Sequence, residues 1–484
     1  MKTTLERSVA CALCLLLCLL ACAPFVPPSA AQGARRKPNV IFILADDLGY
    51  GDIGPYGQRR IRTPHLDRLA REGLRFTDFY AASPVCAPSR ASLMTGQHQG
   101  RTYIRGNSTK VPVPGQSGAA ARRLPLRPRD VTVAEVLKGA GYATGVVGKW
   151  GLGEPGTTGV PNAQGFDYFF GYLNQTHAHS HFPEYLWRNR ERVELPRGTY
   201  SQDLFTEEAL QFVRRERERP FFLYLAYIIP HANNELGRET GNGMEVPSDA
   251  PYTNERWPQQ QKSYAAMVTR MDADIGRLMS LLKELGLDDD TLVLFSSDNG
   301  PQGRDEGGFD PDFFQSHGPL RGIKRDLYEG GVRVPLLARW PGRIKAGQVS
   351  RVAWANYDLL PTLAALAGAR APRDIDGVSM LSALLGRGQQ RAREHLYWEF
   401  HEGEFAQAVR LGRWKAVRKG FDKPTELYDL QSDVGETRDV AAVHPRVVRR
   451  VEQIMKSERT ESEFWPVEGG PAMLGSRAEA RGNR

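Results

Sequence analysis

The chain has 484 residues, 41% hydrophobic and 25% charged, with a formal net charge of +8. This is ordinary globular composition, which excludes a disordered or low-complexity chain, and the length allows one large domain with a smaller one. The basic excess is dispersed and forms no tract, which favours an anionic substrate and argues against a nucleic-acid partner.

Residues 1–31 read as an export signal. Lys2 and Arg7 give a positive start, and Val9 to Ala21 form an apolar core shorter than the ~20 residues that cross a bilayer. Ser29-Ala30-Ala31 offers small residues to a signal peptidase, while Leu19-Leu20-Ala21-Cys22 resembles a lipobox that would lipidate Cys22. The expected location is periplasmic or extracellular, with the anchor at Cys22 left open. No later stretch is apolar enough for a transmembrane helix. Four of the five cysteines lie in this leader, so Cys86 is alone in the body of the chain. Exported chains usually pair their cysteines, and a lone thiol there is either buried or chemically altered.

The elements follow in order. Asn39 to Ala45 is a buried strand that runs into Asp46-Asp47. Thr63-Pro64 opens a helix, with threonine as N-cap and proline in the first turn. Pro88 suits the first turn of a second helix that stops at Gly96, with Cys86 just ahead of it. Pro112 to Arg129 reads as a surface loop. Thr132 starts a helix with Val133, Val136 and Leu137 on one face, and Tyr142 to Val147 is a strand leading to Lys149-Trp150. Phe221 to Ile229 is a strand leading to Pro230-His231. Tyr264, Met267, Val268, Met271, Ile275, Leu278 and Leu282 mark a long amphipathic helix, and the strand Thr291 to Phe295 leads to Asp298-Asn299. Such alternation predicts an α/β domain over 38–370, a mostly parallel sheet sandwiched by helices. Beyond Ala371-Pro372 the runs His395 to Phe400, Ala408 to Val417 and Glu426 to Leu430, then a helix with Val447, Val448, Val451 and Ile454, predict a smaller antiparallel sheet plus helix over 371–484.

Four strands thus deliver carboxylates, a lysine, a histidine and an amide to one rim, and open α/β sheets bind ligands at the carboxyl ends of their strands. The oxygen donors Asp46, Asp47, Asp298 and Asn299 suit calcium, with magnesium as the alternative; the ligand spacing that zinc prefers is missing. At a helix start, the amides and dipole around Cys86 favour a thiolate or a bound oxyanion.

Cys86-Ala87-Pro88-Ser89-Arg90 resembles the signature of the type I sulfatases of the alkaline-phosphatase superfamily, in which the cysteine is oxidised to formylglycine. Ala91 to Gly96, Gly148-Lys149-Trp150, Pro230-His231, Asp298-Asn299-Gly300, Gly318 to Pro335 and Leu427 to Leu430 follow the same pattern, so the resemblance covers roughly residues 38 to 440. It implies a sulfuric-ester hydrolase, arylsulfatase-like, that releases sulfate from a carbohydrate or aryl ester. The formylglycine hydrate, made by a maturation enzyme, carries one hydroxyl to attack sulfur and another to expel sulfate. It further implies calcium ligands at Asp46, Asp47, Cys86, Asp298 and Asn299, hydrate binding by Arg90, sulfate binding by Lys149 and Lys324, and a general-acid role for His231. Family members commonly have Lys-Trp-His, whose histidine contacts the formylglycine hydroxyl; here Gly151 stands instead. His177 or His179 is expected to fill that space, and His317 to reach the pocket. Two alternatives stay open: a phosphodiester or phosphonate hydrolase on this scaffold, and a non-catalytic binder of sulfated glycans.

Overall fold

The apolar run Asn39–Ala45 forms β1 and is buried along its whole length. Alternate side chains feed two separate cores: Val40, Phe42 and Leu44 point to one face of the sheet, Ile41, Ile43 and Ala45 to the other. That explains why the strand is continuously hydrophobic. The computed structural model describes residues 37–467; the export signal and the Cys22 alternative lie outside them.

The larger sheet has eleven strands. After β1 come β2 (Leu74–Tyr80), β3 (Ala143–Lys149), β4 (Tyr168–Tyr172), β5 (Tyr185–Arg188), β6 (Glu191–Glu194), β7 (Phe221–Ala226), β8 (Thr291–Ser297), β9 (Arg333–Arg339), β10 (Gln348–Ser350) and β11 (Trp354–Ala355). Their order is β10-β2-β9-β8-β1-β7-β3-β4-β5-β6, with β11 also beside β2. The run β8-β1-β7-β3-β4 is parallel, so all five strands end on the same side. β9 is antiparallel to both β8 and β2, and β5 and β6 turn back at the far edge. Helix Gln259–Glu284 covers one face, burying all seven apolar residues of its predicted stripe. The Cys86–Thr95, Val133–Gly139 and Leu359–Leu366 helices cover the other. The α/β sandwich is as expected.

Local signals held with some adjustment. Thr132 and Glu135 close a reciprocal cap, each side chain accepting from the other's amide at 3.2 and 2.7 Å. Thr63 precedes its helix but does not cap an amide there; its hydroxyl accepts from Gly54 and donates to Asp67. Cys86 is the first residue of its helix and does not stand ahead of it. The Phe221 strand stops at Ala226, although Tyr227 to Ile229 remain buried. The Pro112 to Arg129 loop is pinned by buried Val113, Leu124 and Leu126.

The second sheet is antiparallel, in the order β12 (His395–Phe400), β13 (Ala406–Leu411), β14 (Trp414–Lys419), β15 (Glu426–Asp429). The expected single run Ala408 to Val417 is a hairpin, turned at Gly412 with φ +60. Helix Pro445–Ser457 covers one face through Val451, Ile454 and Met455. The other face packs Leu396, Trp398, Phe400 and Val417 on Tyr80, Ala82, Val85 and Tyr357. Trp398 donates its indole N–H to the Ala81 carbonyl at 2.8 Å, so this sheet buttresses the segment that leads into Cys86.

An ion pair locks the same junction. Lys415 on β14 donates to buried Glu329 at 2.9 Å, and Tyr80 and Arg333 meet the second Glu329 oxygen. Burial alone would raise the Glu329 carboxyl, but Lys415 and then Arg333 outweigh it and hold it at about 2. Removing one member of a buried pair strands the other charge. Lys415→Met should therefore cost about 3–5 kcal/mol in denaturant unfolding; a loss below ~1 kcal/mol would place this junction among ordinary surface pairs.

Candidate active site

Because β1, β3, β7 and β8 run parallel, their carboxyl ends bring Asp46-Asp47, Lys149, His231 and Asp298-Asn299 together. The ladder continues past the strands: Asp46 N–H bonds the Ile229 carbonyl, and Asp298 N–H bonds the Ala45 carbonyl. Asp47 turns with φ +62, a conformation that non-glycine residues rarely adopt and that recurs at functional sites. Its amide donates to Asp298 Oδ1 at 3.1 Å.

Cys86 Sγ, 3% exposed, lies 3.5 Å from Asp46 Oδ1 and 3.8 Å from Asp47 Oδ1. Lys149 Nζ donates to Asp46 Oδ2 at 2.6 Å. Lys324 Nζ donates to Asp47 Oδ2 at 2.7 Å and to Glu306 Oε2 at 2.7 Å. Arg90 is wholly buried behind them, 2.9 Å from Asp298 Oδ2 and 3.3 Å from Asp46 Oδ1, and it also donates to the Lys149 carbonyl. His231 Nδ1 sits 2.6 Å from the Ala232 carbonyl, which can only accept. The proton is therefore on Nδ1, and Nε2 is the free lone pair, 3.3 Å from Lys324 Nζ.

The charge states follow from this packing. Burial would raise Asp46, but the charges of Lys149 and Arg90 outweigh it and hold the carboxyl well below its usual range; burial and then Lys324 push His231 well down, so it stays neutral. Burial dominates at Asp47 and Asp298, helped by neighbouring carboxylates, and pushes Asp298 up to about 7. Burial also pushes the Cys86 thiol well above its ordinary value. The carboxylates opposite Lys149 and Lys324 overcome desolvation and keep both lysines charged.

One ligand atom each from Asp46, Asp47, Cys86 and His231 fits within 4.8 Å, a group able to hold a metal ion. Asn299 Oδ1 is buried without a partner, while its Nδ2 donates to Asp47 Oδ1 at 2.6 Å. An orphaned carbonyl oxygen among carboxylates is what a hard cation would satisfy, so the residues fit one.

Above Cys86 opens a polar pocket of ≈ 360 Å³ lined by His179, His231, Lys324, Gln175, Asn107 and Arg238 among others. His179 stacks on His231 with ring centroids 4.8 Å apart, and its Nδ1 is 2.8 Å from Glu235 Oε2. His177 points elsewhere. It packs between Tyr172 and Tyr185, and burial drops it to about 4. His317 pairs with Asp312 in a separate groove beside Arg59 and Arg60. Positions two apart on the one-turn helix His177–His179 face different surroundings, which spacing alone could not resolve. Arg101, Arg105 and Arg188 are engaged with Asp376, Thr460 and Glu208. Sequence reasoning missed Glu306, Glu235 and Gln175. None of the three left a signal in the sequence pattern.

The comparisons with known proteins agree with this geometry. The sulfatase family model matches residues 38–369, and the model of the N-sulphoglucosamine sulphohydrolase C-terminal region matches 322–462. The chain is 35% identical to N-acetylgalactosamine-6-sulfatase of Canis lupus familiaris, over 80% of this chain and 72% of that one. It is 31% identical to N-acetylgalactosamine-6-O-sulfatase of Bacteroides thetaiotaomicron (88% and 94%) and 34% identical to human arylsulfatase A (88% of each). Among solved structures, that of Ps i-CgsB superposes with a TM-score of 0.76 at 29% identity, covering 93% of this chain and 98% of the other. A second structure of it holds k-i-k-neocarrahexaose, with a TM-score of 0.75. With strand ends, charge cluster and relatives in agreement, the chain belongs to the sulfatase family and is a sulfatase.

Proposed function

We propose that this sulfatase is exported and releases inorganic sulfate from a sulfated saccharide at the Cys86 pocket. The observation that carries the reading is a single buried thiol ringed by three carboxylates and two lysines, beneath a polar pocket. The N-acetylgalactosamine relatives and the neocarrahexaose complex support a carbohydrate ester over an aryl one.

Cys86 is read as a precursor of formylglycine, made by a maturation enzyme. Its chemistry supports this: burial keeps the thiol protonated, and a thiol is a poor nucleophile. The hydrated aldehyde would supply two hydroxyls on one carbon, one to attack sulfur and one to expel sulfate. Asp46, Asp47, Asp298 and Asn299, with position 86, would hold the cation, calcium by its oxygen donors. It would supply Lewis-acid polarisation of the sulfate.

The chain's own side chains divide the remaining work. Lys149 and Lys324 bind sulfate oxygens, each already charged and oriented by a carboxylate. Arg90 braces Asp298 and Asp46 behind the reacting atoms. His231, its Nδ1–H fixed on Ala232, presents a bare Nε2 that burial and then Lys324 keep unprotonated in the resting site; to serve the leaving oxygen as an acid it must first take up a proton there. His179 takes the base role that the histidine missing at position 151 would have. Glu235 accepts from Nδ1, which leaves Nε2 bare to accept a proton.

Cys86→Ala should abolish hydrolysis of a sulfated galactosamine disaccharide and keep the melting temperature within a few degrees; mass spectrometry of the peptide containing position 86 should find formylglycine in the parent protein. Activity within tenfold of the parent would refute the mechanism. His179→Ala should lower kcat by about 10²- to 10⁴-fold, the usual loss for a general base, while His177→Ala should leave kcat within a few-fold. Equal effects would remove His179 from the scheme. Calcium added to chelator-stripped protein should raise the melting temperature, by about 2.7 kcal/mol of stability at one hundred times Kd, and Asn299→Ala should blunt the rise. Stoichiometric zinc in the purified protein would overturn the calcium assignment.

A further inference from the structure

The pairing of β3 with β4 continues past both strand ends. Trp150 N–H bonds the Tyr172 carbonyl at 2.9 Å, and Gly151 N–H bonds the Leu173 carbonyl at 3.1 Å. This zipper sets Gln175 against Gly151. Gly151 has φ +74, and a Cβ built there would lie 2.1 Å from Gln175 Nε2 and 2.6 Å from its Cδ. A side chain at 151 and the Gln175 amide in its present place are therefore mutually exclusive: the glycine is what makes room for the glutamine there.

Gln175 is 5% exposed and lines the same pocket as Cys86, His179, His231 and Lys324. Its Nε2 is buried and has no hydrogen-bond partner. Leaving such a donor unsatisfied costs about 1–3 kcal/mol, and native structures keep few of them. The loop that carries it is not slack. Asn174 is tied to Glu154 and to the His177 amide on either side, and His179 two residues further on is held by Glu235. An N–H donor held in the pocket that Lys324 also lines lacks only an anionic oxygen.

We propose that Gln175 Nε2 donates a hydrogen bond to an oxygen of the sulfate group bound against position 86, from the volume that Gly151 leaves open. The inference rests on the sulfatase reading of this pocket. An amide nitrogen donates but does not take up a proton, so Gln175 stabilises charge and leaves proton transfer to the histidines. Such neutral donors, fixed where negative charge develops, act without reorganising during the reaction.

The test uses the full-length, calcium-loaded protein with Gln175→Leu and Gln175→Glu. Binding of inorganic sulfate is measured by calorimetry in a Cys86→Ala background, which needs no turnover. In the Cys86 background, kcat and KM are measured with 4-nitrophenyl sulfate, after mass spectrometry has confirmed that position 86 is converted equally. Gln175→Leu should weaken sulfate binding about tenfold or more, as for a lost hydrogen bond to a charged group, and lower kcat by about 10²- to 10³-fold, as for a lost oxyanion donor. Gln175→Glu should lose more than Gln175→Leu despite its near-identical shape, because a carboxylate would face the anion. A packing role predicts the reverse order, with only the melting temperature affected. Unchanged sulfate affinity in both variants would overturn the proposal, as would failure of sulfate to bind the Gln175 protein at all. A parent protein converted at position 86 that cleaves no sulfate ester would instead sink the sulfatase reading, and the calorimetry would still decide Gln175.

Discussion

Confinement of like charge dominates this molecule. Asp46, Asp47 and Asp298 are all fully buried at adjoining strand ends, and isolated buried carboxylates would neutralise themselves by taking up protons. Asp46 avoids this because the charges of Lys149 and Arg90 lie against it. Each cation is assigned: Lys149 to Asp46, Lys324 to Asp47, Arg90 to Asp298. Electroneutrality thus dictates which side chains must arrive together, and the parallel sheet is the scaffold that delivers them from distant parts of the chain.

The surrounding packing serves that confinement. The Cys86–Thr95 helix is buried at every residue, so Arg90 cannot swing out to solvent. Ser89 donates to the Asp298 carbonyl at 2.5 Å, and Asn356 holds Ser89 in turn. Glu306 binds Lys324 and Arg325 together, which keeps the lysine from collapsing wholly onto Asp47. The second sheet, through Trp398 and the Lys415–Glu329 pair, stiffens the approach to Cys86 from below.

Much of this was legible in the sequence, for a definable reason. Strands buried on both faces leave a run such as Asn39–Ala45, and the residues just after each run stand at the ligand-binding edge. Asp46, Lys149, His231 and Asp298 could be found by that rule alone. Residues whose place depends on loop geometry could not. Gln175, Glu235 and Glu306 lie in segments without periodicity, and the partners of Arg101 and Arg105, Asp376 and Thr460, lie hundreds of positions away. The antiparallel insertion of β9 between β2 and β8 was equally hidden, because pairing direction leaves no trace in an apolar run.

The clamp of Trp398 on the Ala81 carbonyl sets a clock. The segment leading into Cys86 gains this buttress only once Trp398, made 312 residues after Cys86 (398 − 86), has docked. At about 5–20 residues per second of synthesis, that interval is roughly 15–60 s. During it the segment leading into Cys86 lacks that buttress, which favours any enzyme that must thread it through its own cleft. Afterwards residue 86 is 3% exposed at the floor of its pocket. Chemistry done to this cysteine by another protein is therefore a race against the completion of its own fold.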